Sequence, residues 1–303
     1  MTKTGTDSLT DHRQRAADLI ALDKFDRAAQ EARRALGENP DDAEAHRLLA
    51  RALWAQGEHS RAEFAARNAL RLAPGNALVH STLALILADR GKRQEAREHH
   101  EQAISLAPTV SAFHARYAHF LLHTDRWAAA LRRADTALTL DPGNTGAHLV
   151  RASALQSQGH LAEAEAAVRQ ALALEPNSAA AHNALGNIYL ARDDGDEAFA
   201  NYREALRLDP TNRALKRKLI RSTEARLPLI GVLWRYGQWS MTWRIGWTAI
   251  TLFSFVWCCL TGWSNPALTL LFAIFYLLDV VIGLFIWIVD PAITYGVMKG
   301  WIK

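Results

Sequence analysis

The sequence has very little cysteine and none of the short motifs that mark enzyme active sites. Its only two cysteines, Cys258 and Cys259, are adjacent among apolar residues, which suits neither a structural disulfide nor a zinc site. The 303 residues contain no nucleophile elbow, phosphate loop, HExxH pair or glycine-rich dinucleotide turn. We therefore predict a protein that is not an enzyme and has neither a metal nor a cofactor.

Charged residues are missing from one long part of the sequence, from Ile245 to Leu278. Residues 245–263 and 267–289 are each long enough, as helices, to cross a hydrocarbon core of about 30 Å, and only Asp279 interrupts the second segment. The short link between them allows only a tight hairpin. We predict two transmembrane helices whose outer ends lie on the same side. The alternative, a buried hairpin of a soluble domain, lacks a segment long enough to cover it.

Basic residues crowd the approach to this predicted hairpin. Eight of them lie between residues 213 and 244, opposed only by Glu224. Because basic residues near a membrane segment stay on the cytoplasmic side, we predict that the N-terminal part and the C-terminus are cytoplasmic. Membrane lipids are then expected partners, and nucleic acid is not, because the positive charge lies where anionic headgroups would meet it.

Shorter segments complete this organisation. We predict a polar N-terminal segment at 1–8, a basic capping helix and connector at 213–226, an interfacial amphipathic segment at 227–243 and a short cytoplasmic tail at 291–303. Residues 1–8 are polar and no apolar signal region precedes the rest, so a cleaved secretion signal is not expected.

Proline recurs at a fixed interval through the first two thirds of the chain. Six prolines stand 34 residues apart: Pro40, Pro74, Pro108, Pro142, Pro176 and Pro210. Because proline ends helices, each marks the same point of a copied unit. The predicted repeats are 9–42, 43–76, 77–110, 111–144, 145–178 and 179–212.

Small residues occupy the same three places in every copy. The eighth, twentieth and twenty-seventh positions are alanine throughout, except for Gly186, and the fifteenth is always glycine or aspartate, which fits a left-handed turn between two helices. Period and pattern resemble the tetratricopeptide repeat, most fully in the last copy at Leu185, Gly186, Tyr189, Ala198, Tyr202, Ala205 and Pro210. The resemblance implies an all-α, right-handed superhelical solenoid of six helix-turn-helix repeats with a concave groove. With its hairpin, the chain also resembles membrane-anchored repeat proteins of bacteria, which implies the bacterial inner membrane.

Histidine stands at the fourth position of every copy, from His12 to His182. We interpret these residues as packing groups at the junctions between copies. Their rings are too far apart to share a metal ion. His119 and His123 differ, since a spacing of four brings both to one helix face. They have no nearby third ligand in sequence, so we favour a polar, pH-sensitive groove surface over a metal site.

The groove is the predicted binding site, lined by positions 2, 5, 9, 12 and 13 of each first helix. Its candidate residues are Arg13, Arg47, Arg51 and Trp54 in the early copies, Leu78, Leu85, His119, Leu122 and His123 in the middle, and Asn183 and Asn187 in the last. This arrangement suits an extended peptide with an acidic end, whose backbone the asparagines would clamp. The carboxylate clamp of chaperone-binding relatives cannot be assembled here.

Two functions remain open at this stage. The first is a membrane-anchored cytoplasmic scaffold that binds a protein or peptide in its groove and assembles a membrane-associated complex. The second is an integral subunit of a membrane complex, in which Asp279 makes the functional contact with another membrane protein and the repeats form a regulatory cap.

Overall fold

The computed structural model describes residues 5–226, and the side chains of residues 12–223. The predicted membrane hairpin at 245–263 and 267–289, Asp279, and the flanking segments 227–243 and 291–303 lie outside the described residues. Within residues 5–226 there are thirteen α-helices and no strand. None of these helices is both long enough and apolar enough to cross a membrane.

Ten helices belong to a first compact unit within residues 1–176 and three to a second that starts at Asn177. The first unit contains α1 Gly5–Ala21, α2 Phe25–Glu38, α3 Ala43–Ala55, α4 His59–Leu72, α5 Ala77–Asp89, α6 Arg93–Leu106, α7 Ser111–Leu122, α8 Trp127–Leu140, α9 Thr145–Ser157 and α10 Leu161–Leu174. The second contains α11 Ala179–Ala191, α12 Gly195–Leu208 and α13 Arg213–Arg226.

Each repeat is an antiparallel pair of helices, as predicted. A polar residue two places after each recurring proline starts most first helices: Asp42, Asn76, Asn144 and Ser178 accept hydrogen bonds from the first free backbone amides of the helices that follow. The predicted left-handed turns are also present. Gly57, Gly91 and Gly159 have φ of 80°, 75° and 83°, and Asp23, Asp125 and Asp193 have φ of 56°, 58° and 60°.

Small residues hold the paired helices close together, which confirms the role predicted for them. The alanines at positions 8, 20 and 27 of the copies are at most 1% exposed. At Gly186 a Cβ atom would lie only 2.6 Å from Cε1 of Tyr202, so the aromatic ring of α12 takes the space that a side chain would need. The core is therefore built largely from alanine, with bulkier residues such as Leu83, Ile86 and Leu87 in the third copy.

The fourth-position histidines tie neighbouring copies together. In four of them, Nε2 lies 2.9–3.0 Å from the carbonyl oxygen of the recurring proline six residues earlier: His46, His80, His114 and His148. Because a carbonyl only accepts, Nε2 is the protonated nitrogen of each ring. The structural interpretation of these histidines holds, and the hydrogen bond adds to the predicted packing.

The first helices form one layer of the larger unit. Consecutive first helices contact one another, from α1 to α3, α5, α7 and α9, and the second helices α2, α4, α6 and α8 each pack against the first helix of the next copy. In the smaller unit α13 packs on both α11 and α12, with Leu215, Leu219 and Ser222 buried. The described helix α13 spans the predicted capping segment, and α1 begins at Gly5, four residues before the predicted first repeat.

Candidate ligand-binding groove

The first-helix layer of α3, α5 and α7 brings together most of the residues predicted to bind a ligand. We call this surface the groove and define it by Arg47, Arg51 and Trp54 of α3, Leu78, Leu85 and Asp89 of α5, and Arg116, His119, Leu122 and His123 at α7. All of these residues belong to the larger compact unit. The groove combines three guanidinium groups with an aromatic ring, imidazoles and aliphatic side chains.

The charge of one of the three arginines is compensated by a carboxylate on the same helix. Arg47 is 9% exposed and makes a bidentate pair with Glu44, with Nε 2.8 Å from Oε2 and Nη2 2.5 Å from Oε1. Glu44 lies one turn before Arg47 on α3 and supplies the carboxylate that a buried guanidinium requires. Arg47 is therefore part of the wall of the groove, with its charge already compensated.

The other two arginines have no carboxylate partner among the described residues. Arg116 donates from Nη1 to the hydroxyl of Ser81, 2.9 Å away on α5, and Arg51 makes no ion pair there. Burial, followed by the charge of Arg47, lowers the pKa of Arg51. Burial, followed by the charges of Arg51 and Arg47, also lowers the pKa of Arg116. Arginine stays protonated under these conditions, so the mutual repulsion shows that three cations share one region of the groove.

A second polar patch lies beside the arginines. Nε1 of Trp54 donates to Oδ2 of Asp89 across 2.5 Å, which fixes the half-buried indole between α3 and α5. On α7, the Nε2 atoms of His119 and His123 are 3.3 Å apart, with ring centroids 4.5 Å apart. Burial, and then the neighbouring His123, lowers the pKa of His119 despite the opposing charge of Asp89. His119 is therefore neutral at pH 7.

Two imidazole nitrogens at this separation could act as two ligands of one metal ion. A protein site needs more than two ligands, and no group of three or more histidine, cysteine, aspartate or glutamate side chains converges within the described residues. The role of the histidine pair as a polar surface of the groove stays a prediction. Beside it, Leu78 is 44% exposed and Leu85 and Leu122 are half-buried, so apolar side chains of a ligand also have a place to bind.

Three other predicted residues lie elsewhere and already have partners. Nε of Arg13 lies 3.4 Å from Oδ2 of Asp42, the residue that caps α3, so Arg13 supports the first repeat junction. In the smaller unit, Nζ of Lys218 donates to Oδ1 of Asn183 and Asn187 at 2.8 and 2.9 Å. Burial lowers the pKa of this lysine. The two amide oxygens thus bind helix α13 of the same chain, where we expected them to clamp a peptide.

Sequence reasoning missed Arg116 and Lys218. Arg116 stands at the sixth position of its copy, which is not one of the positions expected to line the groove, and it reaches the arginines of α3 only through the neighbouring helix α5. Lys218 was assigned to a basic surface near the membrane. The signal that could have found it is its place in α13, which packs as the first helix of a further repeat would.

Comparisons with known proteins agree with this architecture. Family models described as tetratricopeptide repeat match residues 19–86, 81–107 and 149–213. No curated protein sequence matches the chain. Among solved structures, the chain resembles one from the APC/C hetero-tetramer Cut9–Hcn1, with 19% identity and a TM-score of 0.62, over 71% of this chain but only 42% of the other.

Two further solved structures share the fold over almost their whole length. PilF of Pseudomonas aeruginosa is 20% identical with a TM-score of 0.55, over 69% of this chain and 96% of that one. PilW, a type IV pilus biogenesis factor, is 21% identical with a TM-score of 0.55, over 66% and 95% of the two chains. At these identities the likeness concerns the fold alone.

Proposed function

We propose that this chain, as a protein that contains tetratricopeptide repeats, is a non-catalytic scaffold whose groove binds an acidic, extended segment of a partner protein. Proteins of this fold generally mediate protein–protein interactions. The observation that carries the proposal is the pair of guanidinium groups, Arg51 and Arg116, that no carboxylate of the described residues neutralises. A carboxylate of a ligand would supply the missing charge and accept several hydrogen bonds at once.

The surroundings favour a peptide over a small anion. The indole of Trp54 is held by Asp89 at one edge of the arginines, and Leu78, Leu85 and Leu122 offer apolar contacts farther along the groove. An extended peptide presents alternate side chains to such a surface, so one acidic residue can meet the arginines while its neighbours meet the leucines.

A defined probe tests this proposal. Binding of a fluorescein-labelled hexaglutamate peptide is measured by fluorescence polarisation, with hexalysine as the negative probe. Replacing Arg51 or Arg116 by Glu should weaken hexaglutamate binding by about tenfold or more, because each charge-assisted hydrogen bond contributes about 1.5–3 kcal/mol. The matched control is Arg71→Glu, an equal change of charge at a side chain 68% exposed on the second helix α4. Equal weakening in all three variants would show only unspecific charge attraction and contradict a groove site.

The same proposal includes a membrane location, on the basis of the sequence. The uncharged segments 245–263 and 267–289 would anchor the chain in the bacterial inner membrane, and the basic residues before them would keep the repeats in the cytoplasm. Carbonate extraction tests this: the full chain should stay in the membrane pellet, and a chain ending at Arg226 should be released. Release of both would refute the anchor and leave the groove proposal untouched.

A further inference from the structure

A cavity of about 350 Å³ lies in the larger unit outside the groove, and none of the groove residues lines it. Second helices α6 and α8 form its walls and first helix α7 its floor, and four arginines line it: Arg97, Arg126, Arg132 and Arg133. The ring of Tyr117 on α7 lies at the bottom and is 5% exposed. We call this cavity the arginine pocket.

The charges that line the arginine pocket are mostly uncompensated. Nε of Arg97 lies 3.0 Å from Oε1 of Glu101, and that same oxygen accepts the Tyr117 hydroxyl at 2.9 Å. Burial alone would raise the pKa of Glu101, but the hydrogen bonds from Arg97 and Tyr117, together with the charges of Arg97 and Arg133, outweigh it and lower the pKa. Glu101 is thus ionised, and its carboxylate fixes the positions of the Arg97 guanidinium and the Tyr117 hydroxyl. Among the described residues it is the one carboxylate that forms an ion pair with a lining arginine.

Each of the remaining three arginines lacks an ion-pair partner among the described residues, so its charge is open to an anionic ligand. The guanidinium of Arg133 lies over the Tyr117 ring, 5.4 Å from its centroid. Arg126 and Arg132 make no ion pair with any described residue. Side chains on a free surface would separate to reduce their repulsion, whereas these three lie around one cavity at the start and in the second turn of α8.

Comparison with the second copy separates what the fold requires from what this copy adds. The equivalent crevice there also measures about 350 Å³, and it is lined by Phe64, Ala65 and Asn68 at the places that Arg132, Arg133 and Thr136 take in the fourth copy. Stacking of the repeats therefore creates the crevice, while Arg126, Arg132 and Arg133 are contributed by the fourth copy alone.

We propose that the arginine pocket binds the phosphate group of an organic phosphate. Guanidinium groups match phosphate oxygens two at a time, and three of them around one cavity suit a group that carries two or more negative charges. The volume lies at the lower end of the range for small-molecule sites, about 300–1,000 Å³, so it also has room for the organic part of the ligand. The largely buried ring of Tyr117, with Leu121 and Ala129, gives that part an apolar floor.

Inorganic pyrophosphate is the first probe, titrated calorimetrically into the full chain at constant ionic strength. The double variant Arg132→Gln/Arg133→Gln should bind it about tenfold more weakly or worse, because two charge-assisted contacts are lost. The matched control is Arg33→Gln/Arg34→Gln, which removes the same charge from an adjacent exposed pair on α2 and alters the crevice of the second copy. The control should bind pyrophosphate within about twofold of the parent, because those residues lie outside the arginine pocket.

A measurement without mutation guards against a misfolded variant. Phenylglyoxal modifies accessible arginines, and mass spectrometry reports each site. Pyrophosphate should protect Arg132 and Arg133 from modification but leave Arg34, which is 61% exposed, unprotected. Equal protection of all three sites, or no binding by the parent chain at millimolar pyrophosphate, would overturn the proposal, as would equal weakening in the two double variants.

Further arms of the experiment identify the source of the phosphate. Vesicles of phosphatidylcholine with phosphatidic acid are compared with vesicles of phosphatidylcholine alone, and AMP is titrated as a soluble organic phosphate. A loss of phosphatidic acid binding in Arg132→Gln/Arg133→Gln alone assigns a lipid headgroup, and a selective loss of AMP binding assigns a soluble ligand. If neither differs between the two double variants, the arginine pocket does not select an organic phosphate and the proposal fails.

Discussion

His100 gives the most quantitative prediction of this structure. Its imidazole is 2% exposed on α6, 5.4 Å from the ring of Tyr117 and 5.2 Å from that of Phe120, measured between centroids. Burial, helped by the nearby positive charge of Arg116 and by His119 and His99, lowers the pKa of His100 to about 3. The folded protein therefore keeps this ring neutral at every pH at which the chain is expected to work.

The stability consequence follows from proton linkage. In the unfolded chain the ring has an ordinary pKa of about 6.5, so between that value and about 3 the unfolded state binds more protons than the folded state. The contribution of His100 is complete above pH 6.5 and is lost as the pH falls. At pH 4.5 the loss amounts to two pH units, or about 2.7 kcal/mol of the free energy of unfolding.

Urea unfolding of the full chain, followed by circular dichroism at pH 8 and pH 4.5, measures this loss. His100→Phe keeps an aromatic ring between Tyr117 and Phe120 but cannot titrate, so between the two pH values it should lose about 2.7 kcal/mol less than the parent. His160→Phe, at a side chain 55% exposed, is the control for replacing a histidine. If the parent and His100→Phe lose the same free energy, then the folded state protonates His100 without penalty and the argument from burial is wrong.

Two further predictions concern glycines and use the same urea assay at pH 8. Gly57→Ala should destabilise the chain by about 1–2 kcal/mol. The φ angle is 80° and no atom lies within 4 Å of the new Cβ, so the cost is that of the backbone alone. Gly57→Asp should cost less, because aspartate occupies the same turn at Asp125, and an equal cost would contradict this reasoning. Gly186→Ala should cost about 1–3 kcal/mol through the contact with Tyr202, whereas a gain in stability, the usual effect of alanine inside a helix, would show that the helices are less closely packed.

The arrangement of helix pairs could be predicted from the sequence because every copy carries the same pattern of residues. The period, the small positions and the turn residues each occur six times, so a helix pair that one copy shows weakly is supported by the other five. Left-handed turns at Asp23, Asp125 and Asp193 follow in the same way, since glycine stands at the same place in the other copies. Repetition turns a weak local signal into a strong one.

The partners of individual side chains could not be predicted in this way. Whether Arg47 faces a ligand or pairs with Glu44 depends on the conformation of both side chains, and the encounter of Arg116 with Ser81 joins two copies through residues at different positions. The Lys218 contact with Asn183 depends on how α13 packs against α11. Such contacts are set by tertiary packing, for which a single sequence without repetition of the pair gives no signal.

The function of this chain is therefore best sought where the residues of one copy differ from those of the others. The fourth copy differs both at the groove and at the arginine pocket. Its first helix contributes Arg116 to the groove, and its second helix contributes Arg132 and Arg133 to the arginine pocket. Arg116 and Tyr117 are consecutive, and they point to different faces of α7 because consecutive helix residues point about 100° apart. The shared packing positions, such as the buried Ala118, stay small as in the other copies. The repeat can keep its structure while this one copy carries two cationic surfaces, because the positions that stack the helices and the positions that bear the charges do not overlap.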